Sequence, residues 1–307
     1  MKAVRMHSHG GPDVLVLEEA ADPVPGAGEV LVAIKAASVN AADWKVRSGT
    51  SPVSVTLPHI LGRDFSGVVE AAGPGADLEP GTEVYAVCPR DLEGGYAEKI
   101  AIGAQYLARK PQNLTHVEAA AIGLAALTAM VSIEDTLDLK RGEKILIQGG
   151  AGGVAGMAIQ LAHHLGAEVV TTARAENHAY VRSLGADQVI DYTKVDPASL
   201  LGDCDAAFDT VGGPCTAQCF AVLKSGGRAA FIAGGASAPA SPRPDVTALR
   251  PAVNRGRELM DRVTAYVEAG VFKLPQITTL PLSAAVRAHE LSEAKHVRGK
   301  LVFEIGD

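Results

Sequence analysis

Gly150-Ala151-Gly152-Gly153-Val154-Ala155 is the segment whose residue types and spacing carry the clearest chemistry. It fits G-x-G-x-x-G/A, with alanine in the third place. Gly150 serves a tight turn, Gly152 lets a pyrophosphate approach the backbone, and Ala155 allows close helix–strand packing. The amides of Gly153 and Val154 would open a helix whose dipole favours the phosphates. A glycine pattern alone is weak. Here an apolar run at 144–148 precedes it and an amphipathic stretch at 154–165 follows, so it is read as a dinucleotide loop. NAD-binding loops place an acidic residue about 20 residues on, at the end of the second strand, to meet the ribose 2′-hydroxyl. This chain has Thr171-Thr172-Ala173 and then Arg174 there. A guanidinium suits a 2′-phosphate, and the competing reading is a solvated arginine at a loop mouth. The phosphate role is favoured, which predicts NADPH.

Metal and nucleophile chemistry find less support. The four cysteines, Cys88, Cys204, Cys215 and Cys219, make neither a disulfide framework nor a zinc quartet. Cys215 and Cys219 span one helical turn and read as packed thiols. His163 and His164 fall on an amphipathic helix and read as solvated surface. No metal site is expected.

The elements that must position these residues divide the chain. Residues 1–115 carry short β-rich runs, at 14–17, 29–34, 67–70 and 83–87, broken by Gly/Pro clusters such as Pro23-Val24-Pro25-Gly26. From residue 117 the pattern changes to an Ala- and Leu-rich helix with Thr115 as N-cap and Glu118 in its first turn. Strands at 144–148, 168–172, 188–190, 206–209 and 228–232 then alternate with helices. That alternation means a doubly wound parallel sheet in an α/β chain. Residues 234–251 hold four prolines and read as an irregular excursion. A helix at 257–269, another at 283–291 and a strand at 300–305 complete the chain.

Composition narrows the partners. Apolar residues are 47% and charged residues 21% of the 307 residues, which fits a globular fold and argues against disorder. Aromatics at 4% argue against a stacking groove for single-stranded nucleic acid. The net charge of −7 disfavours phosphate backbones and anionic membranes. The longest apolar stretch, 119–131, falls short of the roughly 18 residues a span requires, and the amino terminus lacks an apolar signal core. A reducing, cytoplasmic setting is the expectation.

Six further motifs, taken with the glycine loop, resemble the medium-chain dehydrogenase/reductase superfamily in its zinc-free quinone oxidoreductase branch. They are Val39-Asn40-Ala41-Ala42-Asp43-Trp44-Lys45, Leu61-Gly62-Arg63-Asp64-Phe65-Ser66-Gly67-Val68-Val69 and Gly94-Gly95-Tyr96-Ala97-Glu98, then Ser183-Leu184-Gly185-Ala186-Asp187, Phe208-Asp209-Thr210-Val211-Gly212-Gly213 and Val297-Arg298-Gly299-Lys300-Leu301-Val302. The resemblance covers essentially the whole chain. It implies a GroES-like β-rich catalytic domain from residues 1–117 and 263–307, around a Rossmann NADP-binding domain at 118–262. It also implies a homodimer formed through an edge of the Rossmann sheet.

Zinc members of the superfamily bind catalytic zinc through a Cys three residues before an Asp and through the His of a Gly-His-Glu motif. Those positions look like Asn40 and Arg63 here, which supply neither thiolate nor imidazole. The resemblance therefore implies hydride transfer from NADPH to a quinone or to the C=C bond of an α,β-unsaturated carbonyl. Two alternatives stand beside it: a trans-acting enoyl reductase of a polyketide or fatty-acyl pathway, and a non-catalytic NADPH-binding structural or regulatory protein. Asn40 looks like the asparagine at the nicotinamide and substrate cleft. Lys45 stands where many relatives carry tyrosine, and is either a proton donor or a surface lysine. Thr128, Thr172, Asn177, Thr210, Val211, Ala233 and Gly234 match cofactor-contact positions. Arg298 and Lys300 match the carboxy-terminal segment that reaches back to the cofactor, although Arg298 reads equally as a structural ion pair.

Overall fold

Strands with apolar residues on both faces and helices with buried small residues set the architecture. The structure is a computed structural model that describes residues 1–90 and 92–306. Asp91 and Asp307, both within the segments expected for the β-rich domain, lie outside the described residues. The amino-terminal part runs β1 (Lys2–Met6), β2 (Leu15–Glu19), β3 (Glu29–Val39), α1 (Ala41–Arg47), β4 (His59–Ile60), β5 (Asp64–Ala72), β6 (Glu83–Val87), β7 (Lys99–Gly103), β8 (Leu107–Arg109) and α2 (His116–Met130). The middle runs β9 (Lys144–Ile147), α3 (Gly153–His164), β10 (Glu168–Thr172), α4 (His178–Ser183), β11 (Gln188–Ile190), β12 (Cys204–Asp209), α5 (Pro214–Ala221), β13 (Leu223–Phe231) and β14 (Thr247–Leu249). The chain ends with α6 (Arg257–Glu268), β15 (Ile277–Pro281), α7 (Ala285–Glu293) and β16 (Lys300–Glu304).

Two compact units form. One holds Met1–Leu124, Asn254–Glu268 and Gln276–Asp307; the other holds Ala125–Val253 and Ala269–Pro275. The boundaries differ from 1–117, 118–262 and 263–307, and hydrogen bonds explain the difference. Tyr85 donates its hydroxyl to the Met260 carbonyl at 2.9 Å, and Arg257 donates to the Leu107 carbonyl at 2.8 Å and to Asp77 at 2.8 Å. These bonds bind α6 to the first unit. Lys273, by contrast, donates its amide to Gln160 Oε1 at 2.7 Å and stays with the second.

In the first unit, β3 is the long spine. One edge pairs antiparallel with β5; the other pairs with β7 along Glu29–Ala33 and with β16 along Ala36–Val39. Val32, Ile34, Phe65, Val69, Val84 and Phe303 fill the core beside this sheet. Helix α1 was not foreseen in a half read as purely β. It is short, and its acidic first turn and basic last turn complement the helix dipole. Arg47 at its end donates to His289 Nδ1 of α7 at 3.4 Å and to Glu293 at 2.9 Å. Arginine only donates, so Nδ1 accepts and the His289 ring is neutral. Burial and the Arg47 charge push its pKa down to about 3.

The second unit is a six-stranded parallel sheet in the order β11-β10-β9-β12-β13-β14. Ile145, Leu146 and Ile147 of the central β9 are fully buried, the continuous apolar run expected of a strand covered on both faces. β14 falls inside the stretch expected to be irregular; Thr247, Ala248 and Leu249 pair parallel with Arg228, Ala229 and Ala230.

The helix that starts at His116 has Thr115 before it, as the sequence predicts, and the pair Thr115 and Glu118 closes into a capping box. Thr115 donates its amide to Glu118 Oε2 at 2.8 Å, and Thr115 Oγ1 accepts from the Glu118 amide at 3.3 Å. A π-helical turn, Val131–Thr136, continues it. The resulting 21 residues are long and apolar enough to cross a membrane, but 83% of that window is buried inside the fold, as in a core helix.

Candidate active site

Two clusters of functional side chains stand out, one in each unit. In the Rossmann unit the glycine loop links β9 to α3. Gly149, with φ +76°, takes the left-handed turn that Gly150 was expected to make. Gly150 is glycine for another reason: a Cβ there would lie 2.3 Å from Thr171 Oγ1, on the neighbouring strand. Gly152 is the N-cap of α3 in extended conformation, and a Cβ there would stand 3.3 Å from the Gly149 carbonyl oxygen. The first intrahelical bond runs from the Gly156 amide to Gly152 at 2.8 Å. The first-turn amides of α3, from Gly153 and Val154 onward, therefore lack intrahelical acceptors, and Ala155 packs fully inside. Amides at a helix start that lacks an acidic first-turn residue fit a pyrophosphate.

The other expected contacts in this unit lie at the carboxyl ends of the parallel strands. The Thr172 hydroxyl accepts from the Gly149 amide at 3.0 Å and donates to Gln148 Oε1 at 2.7 Å. The Thr210 hydroxyl donates to the Gln148 carbonyl at 2.7 Å. Both hydroxyls brace the loop. Buried Asp209 accepts from the amides of Val211 and Gly212, which leaves the Val211 side chain exposed. Arg174 follows β10 and donates to the Tyr192 hydroxyl at 3.0 Å; Asn177 is the N-cap residue before α4. Ala233 and Gly234 follow β13, where Arg250 donates to the Phe231 carbonyl at 2.8 Å. Thr128 lies in α2, largely buried.

The GroES-like unit holds a buried polar network. Asn40, just past the end of β3, donates from Nδ2 to Asp64 Oδ1 at 2.7 Å and accepts at Oδ1 from Lys300 Nζ at 2.7 Å. Asp64 also accepts from the Ser38 hydroxyl at 2.7 Å and the Leu124 amide at 2.9 Å. The Asn40 backbone N–H donates to Asp43 Oδ2 at 2.8 Å, and Tyr96 donates its hydroxyl to the same oxygen at 2.7 Å. Arg63 lies 3.6 Å from Asp43 and 2.8 Å from Glu93, whose other oxygen meets His59 at 3.0 Å. Burial raises Asp43 to about 7 against the opposing charge of Arg63. Glu93 sits at φ +48°, an unusual backbone state for a buried acid and a sign that its neighbours over-determine it.

Lys300 was expected at the cofactor. The residue is 6% exposed, and its ammonium donates inside this unit to Asn40 and to the Val39 carbonyl at 3.1 Å. Burial lowers its pKa below the usual lysine range, with Asp64 and Asp43 opposing the shift. Lys45, one turn along α1, is half-buried with Nζ 5.6 Å from the centre of the Trp44 ring. Arg298 is half-buried in the turn before β16. Asp43, Glu93 and His59 were missed as network members, because a lone acid or histidine in sequence does not reveal its partners. The family's zinc positions do not fit a metal: Asn40 is an amide, and the Arg63 guanidinium has no free lone pair and is ion-paired with two carboxylates.

Comparison with known proteins agrees with this architecture. Residues 26–123 match the alcohol dehydrogenase GroES-like domain, and residues 184–303 match a family described as zinc-binding dehydrogenase. The chain is 35% identical to the chloroplastic NADPH-dependent alkenal/one oxidoreductase of Arabidopsis thaliana, over 98% of this chain and 79% of that protein. The quinone oxidoreductase of Coxiella burnetii superposes with a TM-score of 0.93 at 32% identity, over 100% of this chain and 99% of that one. The Escherichia coli quinone oxidoreductase complexed with NADPH superposes at 0.91 with 26% identity, over 99% and 100% of the two chains.

Proposed function

The chain belongs to the medium-chain dehydrogenase/reductase superfamily, in its quinone oxidoreductase branch, and from that membership we propose an NADPH-dependent, zinc-independent reductase of quinones or of the C=C bond of α,β-unsaturated carbonyls. The observation that carries the reading is the ion-paired guanidinium of Arg63 at the position where zinc relatives place a histidine ligand. A carbonyl with no Lewis acid on it is a poor hydride acceptor. A quinone or conjugated β-carbon is a better one, because the charge that develops is spread over carbon and oxygen as an enolate or quinol anion rather than localised on one alkoxide oxygen.

The first-turn amides of α3, those of Gly153 and Val154 among them, take the pyrophosphate, Gly152 lets it approach, and Gly150 seats the loop against β10. Arg174 takes the 2′-phosphate, following Thr171-Thr172-Ala173 where NAD-binding loops carry an acidic residue. Thr172 and Thr210 hold the loop's shape from behind, while Thr128, Asn177, Val211, Ala233, Gly234 and Arg298 complete the cofactor surface. Bound NADPH supplies a hydride from C4 of its reduced ring. Asn40 retains an amide N–H whose other contacts, to Ser38, are 3.4 Å long, and directs it at the developing enolate oxygen. Lys45 supplies the proton. The four cysteines are free thiols, which suits a reducing, cytoplasmic setting, and assembly as a homodimer completes the reading.

Following NADPH absorbance against quinones, enones, enoyl thioesters and simple ketones, with and without a chelator, tests the proposal. Turnover with a quinone or enone that survives chelation is expected. Turnover confined to simple ketones and lost on chelation, or tight NADPH binding with no acceptor reduced, overturns it.

A further inference from the structure

Asn40 lies between two strands that bring it opposite charges. β16 runs antiparallel to β3 with Leu301 beside Val39, so the next step along sets Lys300 beside Asn40. On the other edge Phe65 pairs with Ala37, which sets Asp64 beside Ser38 and within reach of the same amide. A primary amide rotor is nearly symmetric in shape, and its neighbours decide which end is oxygen. Lys300 can only donate and therefore faces Oδ1; Asp64, as a carboxylate, only accepts and therefore faces Nδ2. Both contacts are 2.7 Å. Neither charged group is free to swing away. Lys300 also donates to the Val39 carbonyl, and Asp64 is held by Ser38 and the Leu124 amide.

We infer that Lys300 is a positioning residue for the hydride-transfer step: its buried ammonium locks and polarises the Asn40 amide against Asp64, and it does not bind cofactor. This rests on the proposed role of Asn40. A cation on the amide oxygen draws electron density from nitrogen, so the remaining N–H becomes a stronger donor. The two resident charges thus set, without a metal, the polarity of the group that meets the substrate oxygen.

The test compares Lys300→Met, Lys300→Arg, Asn40→Ala and the Asn40→Ala/Lys300→Met double variant in the full chain. Readouts are kcat for the preferred enone or quinone, the NADPH dissociation constant and the pH profile. Lys300→Met should lower kcat about 10- to 100-fold, the value of a hydrogen bond to a charged group, with NADPH affinity within about twofold. The double variant should be no slower than Asn40→Ala, since both act through one amide. Lys300→Arg should recover part of the rate and move the alkaline limb of the profile upward. The charges facing Lys300 are Asp64 from β5 and Asp43 from α1, and both persist in that variant. Unchanged kcat in Lys300→Met beside a slow Asn40→Ala overturns the inference and leaves the Asn40 reading intact. Weakened NADPH binding with kcat preserved overturns it in favour of a cofactor contact. Wild-type turnover in Asn40→Ala refutes the Asn40 role and Lys300 positioning with it. Should Lys300→Met fail to fold, Lys300→Gln, which keeps a donor without charge, gives the same comparison.

Discussion

Arg63→Met removes the cation from a buried set that includes two carboxylates. Asp43 Oδ1 has no hydrogen-bond partner and faces only Arg63 Nε at 3.6 Å among the ion pairs of the described residues, and Glu93 lies 2.8 Å from the other end of the guanidinium. Taking one partner from a buried ion pair costs about 3–5 kcal/mol, because the remaining charge stays desolvated. For a unit of this size that corresponds to a fall of roughly 6–20 °C in melting temperature. The loss should depend on pH. Asp43 titrates at about 7 in the folded protein against 3.8 as a free side chain, so between those values the folded state holds the extra proton. Stability contributed by this group therefore declines as pH rises through about 7, and without Arg63 the decline extends further up. The variant should be hurt more at about pH 8.5 than at about pH 5.5, where Asp43 is already protonated. Trp44, the single tryptophan, neighbours Asp43 in the same helix, and its fluorescence reports melting of this unit alone. An Arg63→Met melt by Trp44 fluorescence that is unshifted, or shifted equally at both pH values, refutes the charge balance argued for the network.

Gly150→Ala drives a Cβ to 2.3 Å from Thr171 Oγ1, whose hydroxyl is tied to the Ile147 carbonyl at 2.7 Å. A loss of about 1–3 kcal/mol in thermal unfolding is expected, with partial recovery in Gly150→Ala/Thr171→Ala. Arg174→Ala should reduce the preference for NADPH over NADH about 10- to 100-fold in a fluorescence titration, and an unchanged ratio removes the 2′-phosphate role. Lys45→Met should slow enone reduction by about 100-fold or more at unchanged NADPH affinity; wild-type turnover would make Lys45 a surface lysine.

Local signals were legible from residue order. The glycine loop, the parallel strands after residue 144 and the helix start at Thr115 and Glu118 each depend on neighbours within one or two turns, where spacing alone sets geometry. The substitutions at positions 40 and 63 were equally visible, since residue type decides whether a metal ligand is present. What went astray were assignments that need a partner. Gly150 looked like the turn glycine, but the left-handed φ belongs to Gly149, and the close approach to Thr171 of β10 is what constrains Gly150. The short α1 carries too few residues for its period to show, and α6 joined the other unit through hydrogen bonds to β6 and β8.

By itself, then, the sequence determined the two architectures, the glycine loop between β9 and α3, and the residue types at positions 40 and 63. Tertiary structure alone decided what surrounds Asn40. Lys300 lies 260 positions away in sequence and Asp64 lies 24 away; neither separation matches a helical or strand period. Both meet Asn40 because β3 accepts β16 on one edge and β5 on the other, and the register of an antiparallel pair is set by the whole buried face rather than by any residue at its end.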